Sequence, residues 1–167
     1  MALIVSHFNT PVGCLEVSHD GQHVQLAVFV NTTHPSNTKS LFCQVIANEL
    51  DEYFKHPHHR FQLPLKPQGT AYQLRVWNAL LVIPAGRTVS YGDLAISLQS
   101  GPRAIGQACK KNPLAVFIPC HRVVGKNNSG GYMGREDALP FKLALLSHEA
   151  KGAIHPEHKV LYATDDT

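Results

Sequence analysis

This sequence lacks cysteine pairs at the spacing that binds zinc or carries out thiol–disulfide exchange. Its four cysteines, Cys14, Cys43, Cys109 and Cys120, are separated by 29, 66 and 11 residues, so no Cys-x-x-Cys motif is present. A disulfide framework is also unexpected. We expect each cysteine to be a small buried hydrophobe unless its surroundings activate the thiolate, and we expect no metal and no cofactor.

Long apolar runs and a secretion signal are lacking as well. No stretch of the 167 residues approaches the roughly 18 uncharged apolar residues of a membrane span, and the opening Met1–Phe8 has no basic start. Charged residues make up only 16% of the chain and hydrophobic residues 44%, which is enough to build a core and argues against disorder. These features predict a soluble, cytoplasmic protein that does not bind membranes.

Negative charge is scarce in the second half of the chain. Residues 1–68 hold 4 Lys and Arg against 5 Asp and Glu, whereas residues 69–154 hold 10 against 4. A basic half beside a nearly neutral half fits a polyanionic partner such as nucleic acid, and it fits a solvated basic face equally well.

The first half has the pattern of a small sheet with one helix. Three apolar runs separated by turns predict an antiparallel meander: Ala2–Phe8, Cys14–Ser18 and His23–Val30. Apolar residues at helical spacing between Leu41 and Phe54 predict a helix over one face of the sheet. The segment Leu63–Gly69 contains two prolines and a glycine, which block helix and ladder. We therefore predict an N-terminal α/β domain over residues 1–68.

The second half is predicted to be mainly helical. Thr70 can cap a helix that runs to Leu81, and Ser90 with Asp93 has the form of a capping box that opens a short helix to Gln99. After a tight turn a further helix spans Arg103–Lys111, which completes a helix-turn-helix signature. The remaining predictions are a strand at Leu114–Ile118, a glycine-rich turn at Gly125–Gly134 and a last helix at Pro140–Glu149. The predicted class is α+β, with a second domain that carries the helix-turn-helix over residues 69–155 and a tail over 156–167.

Cys120 has an unusual setting among the four cysteines. It follows a proline at the end of the predicted strand, with His121 next to it and Arg122 two residues on, so a base and a fixed positive charge are local. Such surroundings favour a thiolate. Because neighbouring strand residues point to opposite faces, His121 would need a bend or a bridging water to reach the thiol. A reactive cysteine and a core cysteine both remain open on this pattern alone.

The helix predicted at Arg103–Lys111 carries few of the long polar side chains that read base edges in a major groove. Ala104 and Ala108, with Gly106 between them, would let the backbone approach a narrow surface, and Arg103 projects from the first turn. On this pattern alone, close packing of two helices is the more common explanation for the small residues.

Five motifs together resemble the O6-alkylguanine-DNA alkyltransferases, also called methylated-DNA-protein-cysteine methyltransferases. In order and near-spacing they are Thr88–Gly92, Pro102–Gly106, Lys111–Pro113, Ile118–Val124 and Leu145–Glu149. The motifs cover roughly residues 70–150, so the resemblance implies that residues 69–155 form a DNA-binding and active-site domain of winged-helix type. The first seventy residues match the family only in outline, as the small α/β domain that precedes it. The resemblance implies transfer of an alkyl group from O6 of guanine, and from O4 of thymine, to a cysteine of the protein itself, once per molecule.

The resemblance also implies roles for single residues. Cys120 matches the acceptor, His121 and Glu149 the base and its orienting carboxylate, Tyr91 the donor to the leaving guanine, and Asn112 the residue that orders the active-site loop. For DNA, Arg103 matches the arginine that replaces the extruded nucleotide, and Ala104, Gly106, Ala108 and Tyr91 the contacting surface. For the pocket, the carbonyls of Cys120 and Val123 match the acceptors for the guanine amino group, with Tyr132 and Met133 where the family closes it. The implied partner is double-stranded DNA bound through its minor groove by a monomer, with the base flipped into the pocket.

Some features depart from the family or leave alternatives open. The usual Tyr-x-Gly-Gly sequence reads Tyr132-Met133-Gly134-Arg135, which leaves the tolerance for bulky alkyl groups open. Some members bind zinc in the first domain, but the histidine spacing here does not support such a site. The alternatives to repair are a non-catalytic lesion-binding protein of the same fold and a winged-helix regulator.

Overall fold

The first half of the chain folds as a three-stranded antiparallel sheet covered by one helix. The computed structural model describes residues 2–34 and 39–152. The strands lie side by side in chain order: β1 (Ile4–Thr10), β2 (Gly13–His19) and β3 (Val24–Val30). Helix α1 (Leu41–Lys55) begins after Ser40, whose hydroxyl accepts a hydrogen bond from the N–H of Cys43. The meander and its covering helix are as predicted.

The second half is mainly helical, as predicted. Its elements are α2 (Ala71–Leu81), β4 (Val89–Ser90), α3 (Tyr91–Ser97), α4 (Pro102–Lys110), a 3₁₀ turn at Cys120–Arg122, β5 (Val123–Val124), a 3₁₀ turn at Glu136–Ala138 and α5 (Leu139–Lys151). Strands β4 and β5 form a short parallel pair. Together with the first half this arrangement confirms the α+β class.

Several predicted boundaries differ from the observed ones. Helix α3 ends at Ser97 rather than Gln99, because Gln99 turns the chain with a φ of 53°. Helix α4 begins one residue earlier than predicted, at Pro102, where proline's missing N–H costs nothing. The last helix runs two residues further, to Lys151. The predicted tail, residues 156–167, lies outside the described residues.

The proline-rich segment between the halves is bonded to the sheet, contrary to the prediction that it makes no ladder. Val24 donates its N–H to the carbonyl of Pro64 at 2.8 Å, and its own carbonyl accepts the N–H of Lys66 at 2.8 Å. Proline blocks a ladder only through its missing N–H, and its carbonyl remains a good acceptor. The domain division at residue 68 remains a prediction.

The two halves meet along strand β3 and helix α5. Ala27 of β3 donates to the carbonyl of Pro113 and accepts from the N–H of Ala115, at 2.8 and 3.0 Å. Phe29, also in β3, stacks on Phe141 of α5 with ring centroids 4.5 Å apart. A Cβ at Gly13 would lie 2.5 Å from the Phe141 ring, so only glycine fits in this turn. The sheet therefore supports the segment that follows α4 and leads to Cys120.

Helix α2 begins with a complete capping box, and its removal should measurably lower the stability of the protein. The Thr70 hydroxyl accepts the N–H of Gln73, and the Gln73 side chain accepts the N–H of Thr70. Thr70→Ala should lower the free energy of unfolding by about 1 kcal/mol in urea titrations, since one helix N–H loses its partner. Thr88→Ala, at an exposed position, should change it by less than about 0.5 kcal/mol. Equal losses would show that the cap does not stabilise α2.

Candidate active site

Cys120 lies at the end of a loop that Asn112 holds in place. The Asn112 amide donates to the carbonyl of Ile118 at 2.9 Å, and its side-chain oxygen accepts the N–H of Leu114 at 3.0 Å. One side chain thereby satisfies backbone groups at both ends of the loop. The side chain of Asn112 is itself buried. The predicted ordering of the loop by Asn112 has a direct geometric basis.

The strand predicted at Leu114–Ile118 is wrong. Only Leu114 makes a bridge, to Ala27, and the residues after it form turns, with Val116 at a φ of 72°. A β-branched residue in this region is strained, and such strain persists only where the surroundings impose it. Asn112 and the two flanking prolines supply that constraint. Cys120 consequently begins a 3₁₀ turn instead of ending a strand.

A pocket of about 310 Å³ opens onto Cys120. Its walls come from α3, α4 and the glycine-rich turn, and include the predicted residues Tyr91, Arg103, Gly106, Cys120, Tyr132 and Met133. Cys109, Gln107 and Lys110 of α4 also line it, which the sequence interpretation did not anticipate. The thiol of Cys120 is 4% exposed. Cys120 therefore lies at the inner end of a cavity whose volume suits a small molecule.

Glu149 is the centre of a buried network behind Cys120. Its Oε2 accepts from His121 Nε2 at 2.7 Å, from the Tyr53 hydroxyl at 2.6 Å and from Arg122 at 2.9 Å. Its Oε1 accepts from Arg122 Nε at 3.0 Å. Burial favours the protonated carboxyl, but the hydrogen bonds from His121 and Arg122 and the positive charge of Arg122 outweigh it and hold the pKa of Glu149 well below its ordinary value. The carboxylate is thus ionised.

The ionised Glu149 fixes the tautomer of His121. A carboxylate can only accept, so His121 Nε2 carries the proton and Nδ1 presents a lone pair. Nδ1 is buried and has no hydrogen-bond partner among the described residues. Burial lowers the pKa of His121, opposed in part by Glu149, so the ring is neutral and able to accept a proton. His121 therefore has the electronic state of a general base.

Burial raises the pKa of Cys120, while a hydrogen bond from Asn112 and the charge of Lys142 act in the opposite direction. The sequence interpretation expected Arg122 to favour the thiolate, and this expectation is wrong. The Arg122 guanidinium is paired with Glu149 and also donates to the carbonyl of Ile83, so its charge is already neutralised. The thiol is protonated at rest and needs a base. No hydrogen bond joins it to His121 among the described residues.

Lys142 is a fully buried cation beside the pocket. Its ammonium donates to the carbonyls of Val123 and Gly131, at 2.7 and 2.9 Å. It thereby links β5, which follows the Cys120 turn, to the glycine-rich turn that forms the outer wall. Burial lowers the pKa of Lys142 to about 8, although the nearby Cys120 acts against this. The Val123 carbonyl, predicted to accept from guanine, is oriented by this contact and keeps a second lone pair.

Tyr91 and the glycine-rich turn form the outer part of the pocket. Burial raises the pKa of Tyr91 to about 12, so its hydroxyl remains a donor at neutral pH. A Cβ at Gly130 would lie 2.8 Å from the Tyr91 ring, so glycine lets the turn pack against this side chain. Met133 has a φ of 56°, an unusual conformation for a side chain that lines a cavity. The turn is therefore shaped around the opening of the pocket.

The predicted DNA-contacting residues do not share one face of α4. Arg103 and Ala104 are exposed and Gly106 is half-buried. Ala108 is buried, and its carbonyl accepts from the indole N–H of Trp77 at 2.9 Å, so it does not lie on the exposed face predicted for it. Each of the two explanations for the small residues thus applies to one alanine: Ala108 packs against α2, and Ala104 is exposed and can contact a partner.

Sequence reasoning missed the buried side chains of Tyr53 and Lys142, and it missed that Arg122 is a partner of Glu149. A signal existed for Lys142 and Glu149, since the buried face of α5 comprises Lys142, Leu145 and Glu149 at helical spacing. Charged residues on a core-facing stripe are rarely buried without partners. Nothing in the sequence near Tyr53 indicates that it contacts Glu149, 96 positions away.

Within residues 2–34 and 39–152 no group of three or more His, Cys, Asp or Glu side chains is placed to hold a metal ion. No helix in that part of the chain combines the length and apolar character needed to cross a membrane.

The depressed pKa of Lys142 predicts a pH-dependent contribution to stability. Between about pH 8 and the ordinary value of 10.5 the folded state has lost this proton while the unfolded state keeps it, so rising pH favours folding. The parent should therefore gain on the order of 1–2 kcal/mol of unfolding free energy relative to Lys142→Met between about pH 8 and pH 10. Paired urea titrations measure this difference. A difference that stays constant with pH would contradict the account of Lys142.

Comparison with known proteins agrees with this geometry. A family model described as the DNA-binding domain of 6-O-methylguanine DNA methyltransferase matches residues 71–151. A probable methylated-DNA–protein-cysteine methyltransferase of Acanthamoeba polyphaga mimivirus is 36% identical over 147 residues, which cover 85% of this chain and 93% of the relative. The corresponding protein of Mycobacterium leprae is 37% identical over 149 residues, 84% of this chain and 88% of the relative.

Solved structures give the same result for the fold. The crystal structure of Mycobacterium tuberculosis O6-methylguanine methyltransferase has a TM-score of 0.78 at 31% identity, covering 91% of this chain and 95% of the other. The structure of Mycobacterium tuberculosis OGT in complex with DNA has a TM-score of 0.75 at 31% identity, covering 89% and 94%. Since relatives and structures match over most of both chains and the family model spans the Cys120 segment, the chain belongs to the methylated-DNA–protein-cysteine methyltransferase family.

Proposed function

We propose that this chain repairs alkylated DNA by moving an alkyl group from O6 of guanine, and from O4 of thymine, to Cys120. One observation carries the proposal above all. A protonated, buried thiol closes the inner end of a pocket, with the neutral His121 and its ionised partner Glu149 behind it. A cysteine that only packed a core would need no base, and a non-catalytic lesion-binding protein would need no nucleophile.

The reaction is a displacement at saturated carbon. The proton of Cys120 passes to His121 Nδ1 through a bridging water, because no direct bond joins the two side chains. The resulting thiolate attacks the alkyl carbon, the new C–S bond forms as the C–O6 bond breaks, and the electron pair goes to the guanine oxygen. Tyr91 donates a hydrogen bond to the departing base, and the raised pKa of Tyr91 keeps its hydroxyl protonated. The departing guanine takes up a proton in place of the alkyl group, His121 releases the proton of Cys120 to solvent, and the protein keeps the alkyl group as a thioether.

DNA is the macromolecular partner, and the pocket requires a flipped nucleotide. A base stacked in a duplex cannot reach a thiol that is 4% exposed. Arg103 lies at the opening of the pocket, on the exposed start of α4, where it can fill the space that the nucleotide leaves. The exposed Ala104 beside it lets the helix backbone approach a narrow groove, which favours the minor groove. The residues that line the pocket need no second copy of the chain to enclose Cys120, so the proposal is for a monomer.

The first test is intact mass before and after incubation with a duplex that contains O6-methylguanine. Methyl transfer should add about 14 Da once per chain, on the peptide that carries Cys120, because a thioether resists hydrolysis. Cys120→Ser should gain no mass while binding the same duplex. Turnover above one equivalent, or modification of a different cysteine, would refute the proposal.

Arg103→Ala separates extrusion from chemistry. The variant should repair O6-methylguanine in a duplex on the order of 10- to 100-fold more slowly, because unstacking a base costs a few kcal/mol. Transfer from the free O6-methylguanine base should change little, since that base needs no extrusion. Arg75→Ala removes the same charge from an exposed position on α2 and serves as the control. If both substrates slowed equally, Arg103 would have no role in extrusion.

A further inference from the structure

Tyr53 links the first half of the chain to the His121–Glu149 pair of the active site. It belongs to α1, is fully buried, and donates its hydroxyl to Glu149 Oε2 at 2.6 Å. His148, next to Glu149 in α5, holds the other end of the residue through a bond from its Nε2 to the Tyr53 carbonyl at 2.9 Å. The tyrosine is therefore fixed at both its backbone and its hydroxyl.

The bond from Tyr53 reaches the same oxygen that holds His121. Oε2 accepts from Tyr53, His121 and Arg122, whereas Oε1 accepts from Arg122 alone among the residues that the structure describes. Arg122 thus bonds both oxygens of the carboxylate, whereas Tyr53 bonds the oxygen that also accepts from His121. Burial and the neighbouring Glu149 raise the pKa of Tyr53, so its hydroxyl remains a donor at neutral pH.

We propose that Tyr53 is a positioning residue for alkyl transfer: acting through Glu149, its hydroxyl fixes the orientation of the base His121. The inference rests on the proposed function for the reaction, but the contact itself can be tested without substrate. Charge density on Oε2 is shared among its donors, so loss of one strengthens the bonds to the others. Without Tyr53, Glu149 would stabilise a protonated His121 more strongly, and the carboxylate would be free to rotate.

Other ionisable groups also surround His121 and Glu149, and they must stay constant in a test. They are Cys120 and Arg122 on the 3₁₀ turn, Tyr132 on the glycine-rich turn, and Lys142 and His148 on α5. Removal of a single oxygen atom from Tyr53 leaves the chemical identity of each of these groups unchanged.

Tyr53→Phe removes that oxygen and keeps the ring that packs against Phe54 and Phe61. Single-turnover transfer at neutral pH should slow on the order of tenfold, less than the 10²–10⁴-fold typical for loss of a general base itself. The slowing should be equal for duplex and free base, and the acid limb of the pH–rate profile should move to higher pH. Tyr72→Phe, which removes a 2.6 Å bond to Ser100 and none of the bonds to Glu149, is the matched control and should keep the parental profile.

A double-mutant cycle tests whether Tyr53 acts through Glu149. In a Glu149→Gln background, Tyr53→Phe should cause almost no additional slowing, because the two residues belong to one network. The same tenfold slowing in both backgrounds would show that Tyr53 only packs the core. An unchanged rate and pH profile in the single variant would also overturn the proposal.

Nuclear magnetic resonance of the free protein keeps this test separate from the proposed function. The titration of the His121 ring should move to higher pH in Tyr53→Phe even if the parent transfers no alkyl group, and an unmoved titration would refute the coupling. If Tyr53→Phe did not fold, a fluorinated tyrosine at position 53 would give the opposite test. Its hydroxyl is a stronger donor, so the His121 titration and the acid limb should move to lower pH, and no movement would count against the proposal.

Discussion

The buried carboxylate of Glu149 is the constraint on which the site depends. A charge at 1% exposure is tolerated only when its lone pairs are satisfied, and the four bonds it accepts come from two other parts of the chain. Helix α1 supplies Tyr53, the 3₁₀ turn supplies His121 and Arg122, and α5 supplies the glutamate. These elements can meet only when the two halves pack together, so the fold of the first half and the chemistry of the second are connected.

The same principle explains the loop that leads to Cys120. Backbone groups that a strand would have paired in a ladder are paired instead by the Asn112 side chain and by β3. The loop can therefore hold Val116 in a strained conformation without losing hydrogen bonds. Strain and polar satisfaction together place a cysteine at the bottom of a pocket and its neighbouring histidine in the core behind it. Regular secondary structure would have directed these adjacent side chains differently.

Much of this architecture could be predicted from local sequence, and the exceptions have a common physical cause. The meander, the capped helices and the motif residues Cys120, Tyr91 and Asn112 follow from turn residues, periodicity and the resemblance to a family. The strand predicted before Cys120 failed because apolar runs between prolines do not reveal side-chain bonds to the backbone. Tyr53 was missed because its partner is remote in the sequence, and Ala108 was misplaced because helix orientation depends on Trp77. Contacts distant in sequence leave no local pattern.

The site suits a protein that can react only once. A thiol with a lowered pKa would react with any electrophile in solution, and each such event would remove one molecule from service. Here Cys120 is only 4% exposed and its burial keeps the thiol protonated. His121, the general base that can activate it, is buried as well. An alkylated base that enters the pocket brings the alkyl carbon to the thiol and excludes solvent at the same time. Reactivity is thus restricted to the moment of binding, and the buried network around Glu149 maintains the base until then.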